Sequence, residues 1–252
     1  MFGWFRPVCP VDRCTKSWIE ERLAWLASEF GGDVFSRRAV VFPDEDFFPD
    51  KYDQSEKSVR VLLDRVCTYM DANPDHVELR LFSNPVDFGL VNENGHAVPM
   101  AAGWYEEQNR RTIIRLEKSQ LGDRMSLIGT MAHELAHLRL LGERRVFPDI
   151  FDNELLTDLT VVFHGLGIFL ANVPRVYQSQ FSHWLGTNVR RPEYMSYPMF
   201  GYALAHAACF RNERKPEWMA HLGMDARYAF KQGLRYLWET EDSTFRPRRP
   251  KK

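Results

Sequence analysis

His133-Glu134-Leu135-Ala136-His137 is the stretch of this chain best equipped for chemistry. On a helix, residues four apart share a face with Cβ atoms about 5–6 Å apart, so two imidazoles can reach one cation. Zinc–nitrogen bonds of roughly 2.0–2.1 Å suit that spacing. Glu134, beside the first imidazole, stands where it can take a proton from a metal-bound water. The flanking residues predict a helix. Leu127, Ile128, Met131, Leu135 and Leu138 keep the helical period, Asp123 is placed to cap its start, and Gly142 to follow its end. Five such letters in a surface loop would mean little; here they lie on a buried amphipathic helix.

A zinc ion that does chemistry has three protein ligands and one open position. Glu154, within Asn153-Glu154-Leu155-Leu156-Thr157-Asp158, is the best third candidate, far enough on for a turn and a returning second helix. Asp158 falls one turn later on the same face. A carboxylate there can accept from the outer N–H of a ligating imidazole and strengthen it as a ligand. Other acidic and imidazole groups rank lower. Gly142 is expected to end the helix before Glu143, Asp149 and Asp152 belong to a Pro148-containing connection and are expected to cap the next helix, and His164 lies in an apolar stretch as a core histidine.

HExxH followed by Asn-Glu-x-x-x-Asp resembles the gluzincin metallopeptidases, over roughly residues 100–173. The resemblance implies zinc held by His133, His137 and Glu154, Glu134 as general base, Asp158 as a supporting carboxylate, and a peptide or protein substrate. The shorter separation looks more like the compact gluzincins than like thermolysin. A metzincin pattern fails, because Leu140 and Glu143 stand where it needs Gly and His. In zincins an edge strand just before the metal helix pairs with extended substrate, which points to Ala102, Gly103, Trp104 and Tyr105. The alternative is an ordinary hairpin covering the core. Such enzymes also use a Tyr or His to stabilise the oxyanion. Tyr177, His183, Tyr194, Tyr197, Tyr202 and His206 are available, and Tyr197 and His206 serve as tests.

The remaining elements must position these groups. Ser17-Trp18-Ile19-Glu20 reads as a capping box for a first helix ending near Phe30, and Asp53-Gln54-Ser55-Glu56 as another for a helix running to about Met70. Arg38–Phe42 and Val77–Phe82 read as strands, and 101–116 as a β-hairpin. Leu155–Val173 reads as a buried core helix, short of the ~20 residues needed to span a bilayer. Gly165 and Gly167 would allow close helix approach. A helix leads toward Phe210, and Trp218, Tyr228, Phe230, Leu234, Tyr236 and Leu237 suggest a last amphipathic one. Strands leading into a helical C-terminal half suit an α+β, zincin-like fold.

Composition narrows the classes. With 252 residues and 44% hydrophobic content, one full-sized domain is expected over 1–245, with 246–252 a basic disordered tail. A net charge of −1 offers no footprint for bulk nucleic-acid binding. The N-terminus lacks a signal-peptide pattern, so a cytoplasmic protein is expected. Four cysteines, at 9, 14, 67 and 209, are too sparse for a disulfide framework. Two rival readings remain: a catalytically inactive protein in which zinc stabilises an interaction or regulatory module, and a zinc hydrolase acting on a non-peptide amide.

Overall fold

The computed structural model describes residues 6–83, 103–108, 111–173, 183–189 and 191–246. In chain order its helices are α1 (Arg13–Phe30), α2 (Val34–Arg37), α3 (Glu56–Tyr69), α4 (Arg124–His137), α5 (Asn153–Phe163), α6 (Gly167–Asn172), α7 (Tyr197–Phe210) and α8 (Met224–Thr240), and its strands β1 (Val77–Phe82), β2 (Gly103–Gln108) and β3 (Arg111–Glu117). The fold is mixed α+β, mainly helical, with a small three-stranded sheet. The chain divides into two compact units, Met1–Phe42 with Phe151–Lys252, and Pro43–Ile150.

In the continuous unit the strand order is β1-β3-β2. β1 runs parallel to β3, with Val77 opposite Thr112, and β2 runs antiparallel to it, with Tyr105 opposite Ile114. β3 is accordingly the buried strand: Thr112, Ile113, Ile114 and Leu116 are all closed to solvent. α4 packs on β2 and β3, while α3 packs on β1 and α4. Asp123 caps α4 as expected, its Oδ1 accepting from the Ser126 N–H at 3.1 Å. At α3 the cap is Ser55, whose Oγ accepts from Ser58 N–H, and Asp53 supports it by accepting from Ser55 instead of capping the helix itself.

The discontinuous unit is helical. α7 and α8 pack along one another so closely that a Cβ added at Gly201 would lie 2.6 Å from Ala229 Cβ and the Phe230 nitrogen. α5 packs between α1 and α7, and Phe35 stacks on Phe163 at 5.3 Å. α1 begins earlier than Ser17: Asp12 is its cap, accepting from Cys14 and Thr15 N–H. The residue read as its capping-box glutamate, Glu20, is buried instead. Its carboxylate accepts from Tyr202 Oη (2.7 Å) and from both the N–H and hydroxyl of Thr244 (2.8 Å each), with Lys16 Nζ at 3.1 Å. Burial pushes this acid up, yet these donors outweigh it and hold the carboxyl below its usual range.

Three further expectations need correcting. Among the described residues Arg38–Phe42 joins no sheet; its Val41 N–H donates to Gly165 O at 2.8 Å, a carbonyl in the turn after α5. Leu155–Val173 is two helices, because Gly165 takes a φ of +89° after α5 and breaks the run. A side chain there would strike Ala39 O, 2.3 Å from the ideal Cβ. Trp218 belongs to a short 3₁₀ turn (Glu217–His221) preceding α8, and Tyr228 on α8 is exposed. All four cysteines are free thiols. No helix among the described residues is long and apolar enough to cross a membrane. Arg246 closes onto Ser243 O, and the tail expected at 247–252 lies outside the described residues.

Candidate metal centre

α4 is buried from Leu127 to His137, so its two histidines and intervening glutamate stand in the interior instead of on a solvated face. His133 is 1% exposed, Glu134 3% and His137 9%. The two imidazoles meet edge to face, with ring centroids 4.9 Å apart. This is the geometry that i,i+4 spacing on a straight helix dictates.

Beyond His137 the backbone widens into a π turn over Leu138–Gly142, and Glu143 is the capping residue. Gly142 therefore closes the turn instead of following the helix. Glu143 N–H reaches Leu138 O and Arg145 N–H reaches Leu140 O, both five residues back. Such insertions are rare and recur at functional sites.

β2 lies directly on α4. An ideal Cβ at Gly103 would fall 2.5 Å from Thr130 Cγ2 and 3.1 Å from both Cγ and Oε1 of Glu134. Only glycine lets this strand ride so near the Glu134 carboxylate. Two residues on, the Tyr105 ring is nearly parallel to that of His137, 30° between planes and 6.3 Å between centroids. Burial pushes its phenol up to about 12, so it keeps its proton through neutral pH. Among the described residues β2 pairs only with β3, leaving its other edge without a strand. Ala102 lies outside the described residues, and Trp104 pairs through its backbone with Arg115.

Glu154 occupies the first turn of α5, where the helix dipole favours a carboxylate. Asn153 Nδ2 donates to its Oε1 at 3.3 Å. The residue before them, Asp152, is wholly buried and does not cap α5 through its side chain as expected. Its oxygens accept instead from Trp18 Nε1 (2.6 Å) and from Arg22 Nε (2.7 Å) and Nη2 (2.8 Å). Asp158, one turn beyond Glu154, is buried, and its Oδ2 accepts from the Met195 N–H at 2.9 Å, which ties the approach to α7 onto α5.

Among the described residues, one group of three ligand-type side chains converges: His133, His137 and Glu154, whose ligand atoms all lie within 4.8 Å of one another. That group could hold a metal ion. The lower-ranked residues are engaged elsewhere. Glu143 faces Arg139 (2.6 Å) and Arg145 (2.9 Å), and His164 stands edge-on to Phe30 and Phe163 in the core. Of the oxyanion candidates, Tyr177 lies outside the described residues. His206 is buried against Tyr202, Phe245 and Glu20, and burial pushes it down to about 4, so it is a neutral core residue. Tyr197 opens α7 and is partly exposed, two residues beyond the Met195 anchored by Asp158.

The sequence marked Gly142 only as the end of the helix, not as a place in a π turn beneath the Tyr105 phenol, and it pointed neither to the Asp152 link to α1 nor to the Met195 tether. A glycine just beyond the helix that carries the two histidines was the available signal for the first. The other two join residues far apart in sequence and carry no local pattern. Comparison with protein-family models, with curated proteins and with solved structures returned no match.

Proposed function

We propose that this chain is a zinc-dependent metallohydrolase, a peptidase of the gluzincin kind built on a zincin-like fold. The observation that carries the reading is the convergence of two imidazoles and one carboxylate within 4.8 Å. The donor set fits the metal: His₂Glu is a known catalytic zinc set, and tetrahedral ligands at zinc bond lengths lie roughly 3.4 Å apart. Bound there, zinc would supply a Lewis acid for a carbonyl and lower the pKa of its water toward ~7.

The protein's own part falls chiefly to Glu134. Its carboxylate accepts the proton of the attacking water and returns it to the leaving amine nitrogen. Its burial beneath Gly103 keeps bulk solvent from competing for that proton. The edge of β2 that bears no strand among the described residues would offer backbone N–H and C=O groups to an extended peptide lying alongside α4. His133, His137 and Glu154 bind, and Asp158 steadies α5 against the segment entering α7.

Metal analysis of the purified chain beside Glu154→Ala, followed by a peptide-cleavage screen with Glu134→Gln, tests this. The expected result is one zinc per chain, lost in Glu154→Ala. Cleavage should vanish in Glu134→Gln while its zinc is retained. A wild-type chain that binds no zinc, or cleavage that survives Glu134→Gln, overturns the proposal.

A further inference from the structure

We infer that Tyr105 is a positioning residue for His137: its ring, lodged over the π turn, holds that imidazole in its ligating orientation. The inference rests on the metal site proposed above. Tyr105 is restrained at both ends. Its backbone is registered against Ile114 of the central strand, and its phenol reaches over Gly142. An ideal Cβ at Gly142 would lie 2.6 Å from Tyr105 Oη and 2.8 Å from Leu138 Cδ1, so the space that a side chain would take at position 142 is filled by the phenol. The near-parallel, offset ring pair with His137 lies within the range over which flat rings attract one another.

The consequence concerns order. A free histidine has two rotatable bonds, and freezing them on metal capture costs affinity. A ring wall that already confines the imidazole removes part of that cost before metal arrives. The π turn and the missing side chain at Gly142 make room for the wall. Tyr105 touches neither metal nor substrate in this role; it acts through His137.

Zinc affinity of the full chain, measured by competition with a chromophoric chelator, tests the assignment. Tyr105→Leu, which keeps bulk but loses the flat ring, should bind zinc about 10-fold more weakly, in line with other residues that orient metal ligands. Tyr105→Phe, which keeps the ring, should stay within about threefold of wild type. Gly142→Ala should weaken binding as Tyr105→Leu does, because its methyl evicts the phenol. In the double variant the two losses should not add, since both act by the same displacement. If Tyr105→Leu does not fold, Gly142→Ala against Gly142→Ala/Tyr105→Phe carries the same comparison. Wild-type affinity in both Tyr105→Leu and Gly142→Ala, or fully additive losses, overturns this inference alone. A wild-type chain without zinc binding overturns the metal reading, and this one with it.

Discussion

One added methyl group tests how closely β2 rides on α4. In Gly103→Ala the new Cβ would stand 2.5 Å from Thr130 Cγ2, where carbon contacts prefer about 3.5–4.0 Å. The overlap is thus about 1 Å, and Thr130 has little freedom to relieve it. It is buried on a helix, β-branched, and its hydroxyl bonds Gln120 Oε1 at 3.0 Å. Forced overpacking of this kind costs about 1–3 kcal/mol. For a unit of roughly a hundred residues that lowers the melting temperature by about 5–20 °C. The rescue is specific. Thr130→Ser deletes the methyl being struck and keeps the hydroxyl, so Gly103→Ala/Thr130→Ser should recover most of the loss. Urea and thermal unfolding of the four proteins measure both effects. Melting of Gly103→Ala within about 1 °C of wild type, or no recovery with Thr130→Ser, would refute so close a fit of β2 on α4.

Two other outcomes can be checked on the same equipment. Burial holds His206 down to about 4 against the pull of the Glu20 carboxylate at 3.9 Å, whereas the unfolded side chain titrates near 6.5. The folded form therefore binds fewer protons between those values, and stability should fall by roughly 3 kcal/mol as pH drops from about 6.5 to about 4. His206→Phe should flatten that part of the urea-midpoint profile, and an unchanged slope contradicts the assignment. Gly165→Ala combines a positive φ with a backbone clash at Ala39 O, and should cost more than about 2 kcal/mol in denaturant titration; a loss below about 0.5 kcal/mol would show that the turn can relax.

How much could be read beforehand depended on how local the cause was. α4 was legible because its cap, period and ligand spacing lie within twenty residues of sequence. β1 came out with its bounds intact because Val77–Phe82 is a single half-buried run, and the β2–β3 hairpin because β-branched and aromatic residues flank a polar turn. Misreadings arose where tertiary partners override local signals. Glu20 has capping-box spacing, but Tyr202 and Thr244, more than 180 residues downstream, claim its carboxylate. Arg38–Phe42 has strand composition, yet Val41 N–H donates to the carbonyl of Gly165, in the turn after α5. Asp152 resembles a helix cap but answers to Trp18 and Arg22. At the candidate site, the convergence of His133, His137 and Glu154 follows from the motif and its spacing. The π turn and the Tyr105 wall do not, because both depend on which strand comes to lie over Gly142.

The buried Asp152 also constrains how this chain can change over time. Its carboxylate accepts from Trp18 and Arg22 of α1, and Glu154 stands only two residues further along. A lineage that lost Arg22 would leave an anion in the interior short of donors, and one that lost Asp152 would strand an indole and a guanidinium. Trp18, Arg22 and Asp152 are thus expected to be inherited as a trio, and drift in the first helix would be felt at the height where the candidate ligand Glu154 is held.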